Sequence, residues 1–253
     1  MARLSGKVAL VTGGSGGIGR GICRLLAKEG ASVAFSYKRN EARAHSFLDE
    51  LAKLAPKASA IRADVSDPAQ VDQLFRAVDK KHGPVEILVN NAGPFVYKTM
   101  EKTSLEEWHE VLEGNLTSLY LCCRAALPAM RKARWGRIIN LTCTGASRAL
   151  GGLKMTAYMA AKAGVAAFTQ SLALEVAHEG ITVNAVSPGI VEHYDLSFEE
   201  ARKRQSKEQP VPRPSVSADL ARAVVFLADP EADFITGTIL DVTGGQLLYD
   251  QLH

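Results

Sequence analysis

Val8-Ala9-Leu10-Val11-Thr12-Gly13-Gly14-Ser15-Gly16-Gly17-Ile18-Gly19, near the start of the chain, is the stretch that decides the fold. Four apolar residues read as a buried strand and the glycines as a tight turn. The amphipathic stretch over 18–29, stopped by Gly30, reads as a helix. Glycines in such a turn let the backbone approach a phosphate closely, and the helix N-terminus behind them aims unpaired N–H groups and a partial positive charge at it. A glycine-rich turn can also be purely structural. Its place after the first strand of an alternating chain favours a pyrophosphate cradle formed by Gly13, Ser15, Gly17, Ile18 and Gly19. No Lys-Ser or Lys-Thr follows the glycines, which argues against a nucleoside triphosphatase.

Outward from this unit the strand-helix period continues. A strand over 32–37, a helix over 41–54, a strand over 58–61, a helix opened by Asp67-Pro68 and a strand over 86–89 follow in turn. The spacing then predicts a long helix around 106–130, a strand over 137–141 and a helix over 158–177. A strand over 181–186, a helix near 218–227 and a last strand over 238–242 complete the series. Strands separated by helices of roughly 10 to 20 residues imply right-handed crossovers and a parallel sheet covered on both faces. The expected architecture is α/β, a doubly wound parallel sheet, in a single domain over 1–253. One segment departs from the period: 192–217 is polar, carries Arg202, Lys203, Arg204 and Lys207, and ends in Pro210, Pro212 and Pro214. It reads as an excursion from the sheet, either a lid over a site or a solvated surface loop.

With 47% hydrophobic and 23% charged residues, the 253-residue chain can bury a full core. A net charge of +3, with cations and acids mixed throughout, does not point to nucleic acid; a small anionic ligand would suffice. No segment approaches the ~20 apolar residues of a membrane-spanning helix. No basic head precedes an apolar run at the first residues, so a cytoplasmic location is expected and no membrane partner. Cys23, Cys122, Cys123 and Cys143 show neither Cys-x-x-Cys spacing nor a His cluster, so no metal site or disulfide is expected. The sequons at Asn115 and Asn140 read as coincidences.

Two further features bear on chemistry. Where a site for NAD would carry an acid at the end of the second strand, Tyr37 is followed by Lys38 and Arg39, with no carboxylate before Glu41. These cations could pair with a 2′-phosphate, which favours NADP(H); the alternative is a solvated, basic start to a helix. Downstream, Tyr158 and Lys162 stand one helical turn apart. That spacing is common by chance, but here it follows five strand-helix alternations, which places it beside the C-terminal edge of the sheet. A nearby cation lowers a phenol pKa, so Lys162 is expected to make Tyr158 a proton donor and acceptor near neutrality.

The ordered set Thr12-Gly-x-x-x-Gly17-x-Gly19, Asp64-Val65, Asn90-Asn91-Ala92-Gly93, Asn115, Tyr158-x-x-x-Lys162 and Ser187-Pro188-Gly189 resembles the short-chain dehydrogenase/reductase family over nearly the whole chain. Within it the chain looks most like 3-oxoacyl-[acyl-carrier-protein] reductases. The resemblance implies a Rossmann-like fold, in which Asp64 and Val65 hold an adenine and Asn91, Ala92 and Gly93 line the cofactor. Pro188, Gly189 and Val191 would flank the nicotinamide. It also implies that Lys162 binds the nicotinamide ribose and helps ionise Tyr158, that Asn115 holds a water in a proton relay, and that Tyr158 protonates a carbonyl oxygen.

Three positions depart from the family pattern. Cys143 occupies the slot of the family's catalytic serine, flanked by Thr142 and Thr144; His193 replaces a threonine, and Glu179 replaces a cation that would face an acidic carrier protein, although Arg134 keeps the other basic position. The resulting expectation is NADPH-dependent reduction of a 3-oxoacyl thioester or similar small ketone, as in fatty acid metabolism, by a homotetramer. An acyl carrier protein is a possible partner. An enoyl reductase, and a dinucleotide-binding sensor or scaffold weakened by loss of the serine, are the alternatives. Thr142 or Thr144 could stand in for that serine in place of Cys143.

Overall fold

The computed structural model describes residues 2–246; Met1 and residues 247–253, the two ends of the expected 1–253 span, lie outside the described residues. Seven parallel strands form one sheet in the order β3-β2-β1-β4-β5-β6-β7. They are β1 (Val8–Val11), β2 (Ser32–Tyr37), β3 (Ser59–Arg62), β4 (Ile87–Asn90), β5 (Gly136–Leu141), β6 (Ile181–Pro188) and β7 (Ile239–Val242). The helices are α1 (Gly17–Lys28), α2 (Glu41–Ala52), α3 (Pro68–His82), α4 (Leu105–Leu112), α5 (Ser118–Ala133), α6 (Thr156–Val176), α7 (Phe198–Arg202) and α8 (Ser217–Ala228).

Both faces of the sheet are buried, which explains why its strands read as apolar runs without alternation. Ala9 and Val11 turn to one face, packing with Ile22, Leu26, Phe47, Leu220 and Val224. Val8 and Leu10 turn to the other, with Leu74, Leu121, Met130 and Val165. The chain builds β1, β2 and β3 outward and then returns to place β4 on the opposite side of β1. The crevice opens where the order reverses, beyond the C-terminal ends of β1 and β4.

One expectation needs correction. The helix expected around 106–130 is interrupted by a π turn at Glu113–Thr117, between α4 and α5. A π turn frees carbonyls from the regular ladder, and here side chains take them up: Asn115 Nδ2 donates to Val111 O at 2.9 Å and Ser118 Oγ to Gly114 O at 2.7 Å. The 192–217 excursion leaves the sheet and contains one short helix, α7. A capping box nucleates it, with Ser197 Oγ accepting from Glu200 N and Glu200 Oε2 accepting from Ser197 N.

Candidate active site

The glycine-rich turn joins β1 to α1 as expected. Gly13 has φ +62°, and a side chain there would press on Ala92, so the turn is closed against the end of β4. Asn91 fixes that approach by donating from Nδ2 to the carbonyls of Thr12 at 2.9 Å and Gly13 at 3.2 Å. Thr12 Oγ1 in turn accepts from the backbone N–H groups of Asn91 and Ala92. No acidic residue sits in the first turn of α1, so nothing opposes an anion at its N-terminus. Gly13, Ser15, Gly17, Ile18, Lys38, Arg39, Asp64, Val65, Asn91, Ala92 and Gly93 all line one crevice of about 900 Å³, a volume suited to a dinucleotide. Gly19 stands one residue deeper in α1, buried against the carbonyl of Gly13. The donor set and the space fit a nicotinamide dinucleotide.

The two cations at the end of β2 are already engaged. Lys38 Nζ lies 2.6 Å from Asp64 Oδ2, and Arg39 Nη2 lies 3.1 Å from Glu110 Oε1. Asp64 also accepts from Ser66 N and Oγ. Burial acts to raise its carboxyl pKa, but Lys38 and Ser66 together outweigh it and hold the group below its ordinary range.

At the other end, α6 is pinned to the sheet by a buried polar chain: Asn90 Nδ2 donates to Asn140 Oδ1, and Asn140 Nδ2 to Thr169 Oγ1, each at 2.9 Å. Thr142 Oγ1 adds a bond to Lys162 O at 3.1 Å. This fixes Tyr158 and Lys162 beyond the C-terminal end of β5. Lys162 is buried, donates from Nζ to Leu141 O at 2.7 Å and lies 5.5 Å from the Tyr158 ring centre. Burial pulls its pKa down to about 8, against a smaller opposing effect of Cys143. The Tyr158 phenol departs from expectation: burial, then Cys143 and Tyr194, push its pKa up rather than down. Desolvation opposes the phenolate here, so Tyr158 keeps its proton at neutral pH.

Cys143 follows β5 with its Sγ 3.6 Å from Met159 Sδ, in a small cluster against which Tyr158 packs. Burial raises its thiol pKa to about 11, partly offset by Lys162. Thr142 and Thr144 both have committed hydroxyls, the latter donating to Pro188 O at 2.7 Å. Asn115 sits in the π turn, donating to Pro94 O as well as Val111 O, while its buried Oδ1 lies against Gly93 without a hydrogen-bond partner. Pro188, Gly189 and Val191, at and beyond the end of β6, do not line the crevice; Val191 packs on the core instead. Among the described residues no three His, Cys, Asp or Glu side chains gather to hold a metal ion, and no helix is long and apolar enough to cross a membrane.

Sequence reasoning missed two aromatic contributors. Tyr194 lines the crevice, with its ring lying directly on Gly17, where any side chain would strike it. Its carbonyl accepts from Ser217 Oγ at 2.6 Å, and the next residue, Asp195, reaches Arg20 at 3.1 Å and Arg24 at 3.9 Å. The second contributor is Phe95, which packs on Tyr158. The Phe95-x-Tyr97 pair directly after Asn90–Pro94 was its available signal.

An open parallel sheet with a glycine-rich crevice at its switch point, and a Tyr–Lys pair at its C-terminal edge, defines a class of dinucleotide-dependent oxidoreductases. Residues 13–246 match a family model described as Enoyl-(Acyl carrier protein) reductase. The chain is 40% identical over 248 residues to the 3-oxoacyl-[acyl-carrier-protein] reductase FabG of Vibrio cholerae, covering 97% of this chain and 99% of that one. It is 39% identical over 250 residues to the FabG of Haemophilus influenzae, covering 97% and 100%. A solved actinorhodin polyketide ketoreductase with NADPH superposes with a TM-score of 0.86 at 36% identity, covering 97% of this chain and 99% of that one. The chain belongs to the short-chain dehydrogenase/reductase family, among its ketoreductase-like members.

Proposed function

We propose that this protein reduces a carbonyl to an alcohol with NADPH, acting on a 3-oxoacyl thioester or a similar small ketone. The observation that carries this reading is the meeting of Tyr158, Lys162 and Cys143 just past β5, at the same edge of the sheet as the crevice. The glycine-rich turn would hold the diphosphate and Lys38 with Arg39 the 2′-phosphate. Asp64 and Val65 would bound the adenine and Asn91, Ala92 and Gly93 the ribose side; Pro188, Gly189 and Val191, which lie outside the crevice lining, would flank the nicotinamide on the family resemblance. Bound there, the reduced dinucleotide supplies a hydride to the carbonyl carbon.

The chain's own residues supply the proton. Tyr158, held neutral by burial, gives its proton to the carbonyl oxygen, and Lys162 stabilises the phenolate left behind while binding the nicotinamide ribose. Asn115 holds a water of the relay that restores the proton, and Cys143 offers a weak S–H bond to the carbonyl. Residues 192–217 serve as the lid. A tetramer of the family type and an acidic carrier protein as partner are consistent with this reading. Glu179, the residue least suited to such a carrier, is partly neutralised by Arg131 at 2.8 Å.

A panel of ketones and enoyl thioesters, offered with NADPH and with NADH, tests the proposal. Ketone turnover should dominate, with NADPH bound at least about tenfold more tightly than NADH, as one charge-assisted phosphate contact allows. Tyr158→Phe should retain NADPH binding by fluorescence and lose ketone turnover by ~100-fold or more. Enoyl turnover alone would establish the alternative reductase chemistry. Dinucleotide binding without any turnover would leave a sensor.

A further inference from the structure

The proton-donor side of the site carries an aromatic wall that the reaction proposed above does not require. Phe95 packs edge-to-face on Tyr158, with ring centres 4.8 Å apart and planes at 87°. Tyr97 stacks along Phe95 at 6.2 Å and 27°. Both rings remain more than half exposed, at 55% and 56%. The wall is held in place: Pro94, which precedes it, accepts a bond from Asn115 of the π turn, and Lys98 N donates to Lys154 O at 2.9 Å. Lys154 also sets its ammonium 5.5 Å from the Tyr97 ring. Tyr158 also packs against a small sulfur-bearing cluster of Cys143, Ala146 and Met159, against which Met155 packs as well.

These surfaces share one preference. Aromatic rings in offset or edge contact gain more from a further ring than from an alkyl chain, because their quadrupoles interact directionally. Thioether and thiol sulfurs likewise favour aromatic neighbours. A flexible acyl chain would obtain only non-directional contact here and would lose rotamer freedom in making it. We infer that the carbonyl this site takes is borne by a planar aromatic group, an aryl ketone or aryl-substituted 3-oxo ester, stacked along Phe95 and Tyr97 with its oxygen toward Tyr158. This rests on the carbonyl-reductase reading of Tyr158. Reduction of such a ketone consumes one NADPH and one proton and yields the secondary alcohol and NADP⁺.

Two esters that differ only in the group on the ketone, ethyl benzoylacetate and ethyl acetoacetate, test the inference with NADPH as reductant. The kcat/KM ratio should favour the benzoyl ester by about tenfold or more, and Phe95→Leu, which keeps apolar bulk and removes the ring, should lower that ratio about tenfold. Tyr97→Ala should lower it to a lesser degree, and Phe95→Tyr should preserve it. A wild-type protein that reduces acetoacetate as well as the benzoyl ester, or a ratio indifferent to Phe95→Leu, overturns this inference alone. A Phe95→Leu protein with changed oligomeric mass and an unchanged ratio also overturns it, by assigning the wall to a protein contact. Failure of both esters to be reduced would instead overturn the reading of Tyr158 beneath it.

Discussion

Cys143 occupies a position where a single atom decides how much stabilisation the developing negative charge receives. The three residues after β5 compete for the role, and their hydrogen bonds separate them. Thr142 Oγ1 and Thr144 Oγ1 each have one proton to donate, and each gives it to a backbone carbonyl. Cys143 makes no such bond; its sulfur meets Met159 beside Tyr158. A thiol raised to about 11 stays protonated but is a weak donor. Since loss of one good donor to such a charge costs ~2.7 to 4 kcal/mol, Cys143→Ser should recover part of it. The expected outcome is turnover of simple ketones about tenfold faster with NADPH affinity unchanged, measured by steady-state kinetics and fluorescence titration. A Cys143→Ser protein no faster than wild type, together with a nearly inactive Thr144→Val, would transfer the role to Thr144. The sequence pattern alone left three candidates, because it does not reveal which hydroxyls are spent on backbone carbonyls. The Tyr158 pKa was illegible for a related reason: helical spacing places Lys162 on the same face but says nothing of how deeply both groups are buried.

At the scale of elements, the strands were the most legible part, because residues buried on both faces leave runs such as Val8–Val11 that no surface segment imitates. The π turn was not legible, since the apolar period continues through it; Asn115 and Ser118 side chains permit the break without changing that period. A polar pin of the same kind ties α3 to the sheet. His82, the last residue of α3, sets its two ring nitrogens 2.7 Å from Ser32 Oγ of β2 and Ser59 Oγ of β3. Burial, then the nearby Lys81 and Lys57, hold the ring below the ordinary value of 6.5. As pH falls, the unfolded chain takes up this proton before the folded one does. The pin's contribution is therefore complete above about 6.5 and declines as pH drops through the lowered folded value. Urea denaturation between pH 7 and 5 should show stability falling with pH, and His82→Gln should flatten that slope. A variant with the wild-type slope would assign the dependence to other groups.

At the scale of the whole molecule, the 192–217 excursion is tied back at several points. Glu192 accepts from Ser206 Oγ at 2.9 Å, Arg213 grips Asp219 through bonds of 2.8 and 2.9 Å, and Asp195 faces Arg20 and Arg24, which also hold Glu50 of α2. The charge content and prolines of this segment were enough to read it as leaving the sheet. That Asp195 turns inward to α1 and Arg213 to Asp219 of α8 was not legible, because pairing depends on which helix faces the segment. The exposed Asp195 pair is the weaker tether, so Asp195→Asn should speed NADPH association severalfold in stopped-flow fluorescence, and Tyr194→Ala more so. Association rates equal to wild type in both would show that the segment does not limit entry.

The Tyr194 ring rests on Gly17 and also contributes to the environment of Tyr158. That side chain covers the seat of the diphosphate, so the molecule that displaces it prepares the ground for the other. The dinucleotide's diphosphate is the group matched to that seat, at the N-terminus of α1. The consequence is a compulsory order of addition: initial-rate patterns should show the ketone unable to bind productively until the dinucleotide is in place, and the oxidised dinucleotide leaving last.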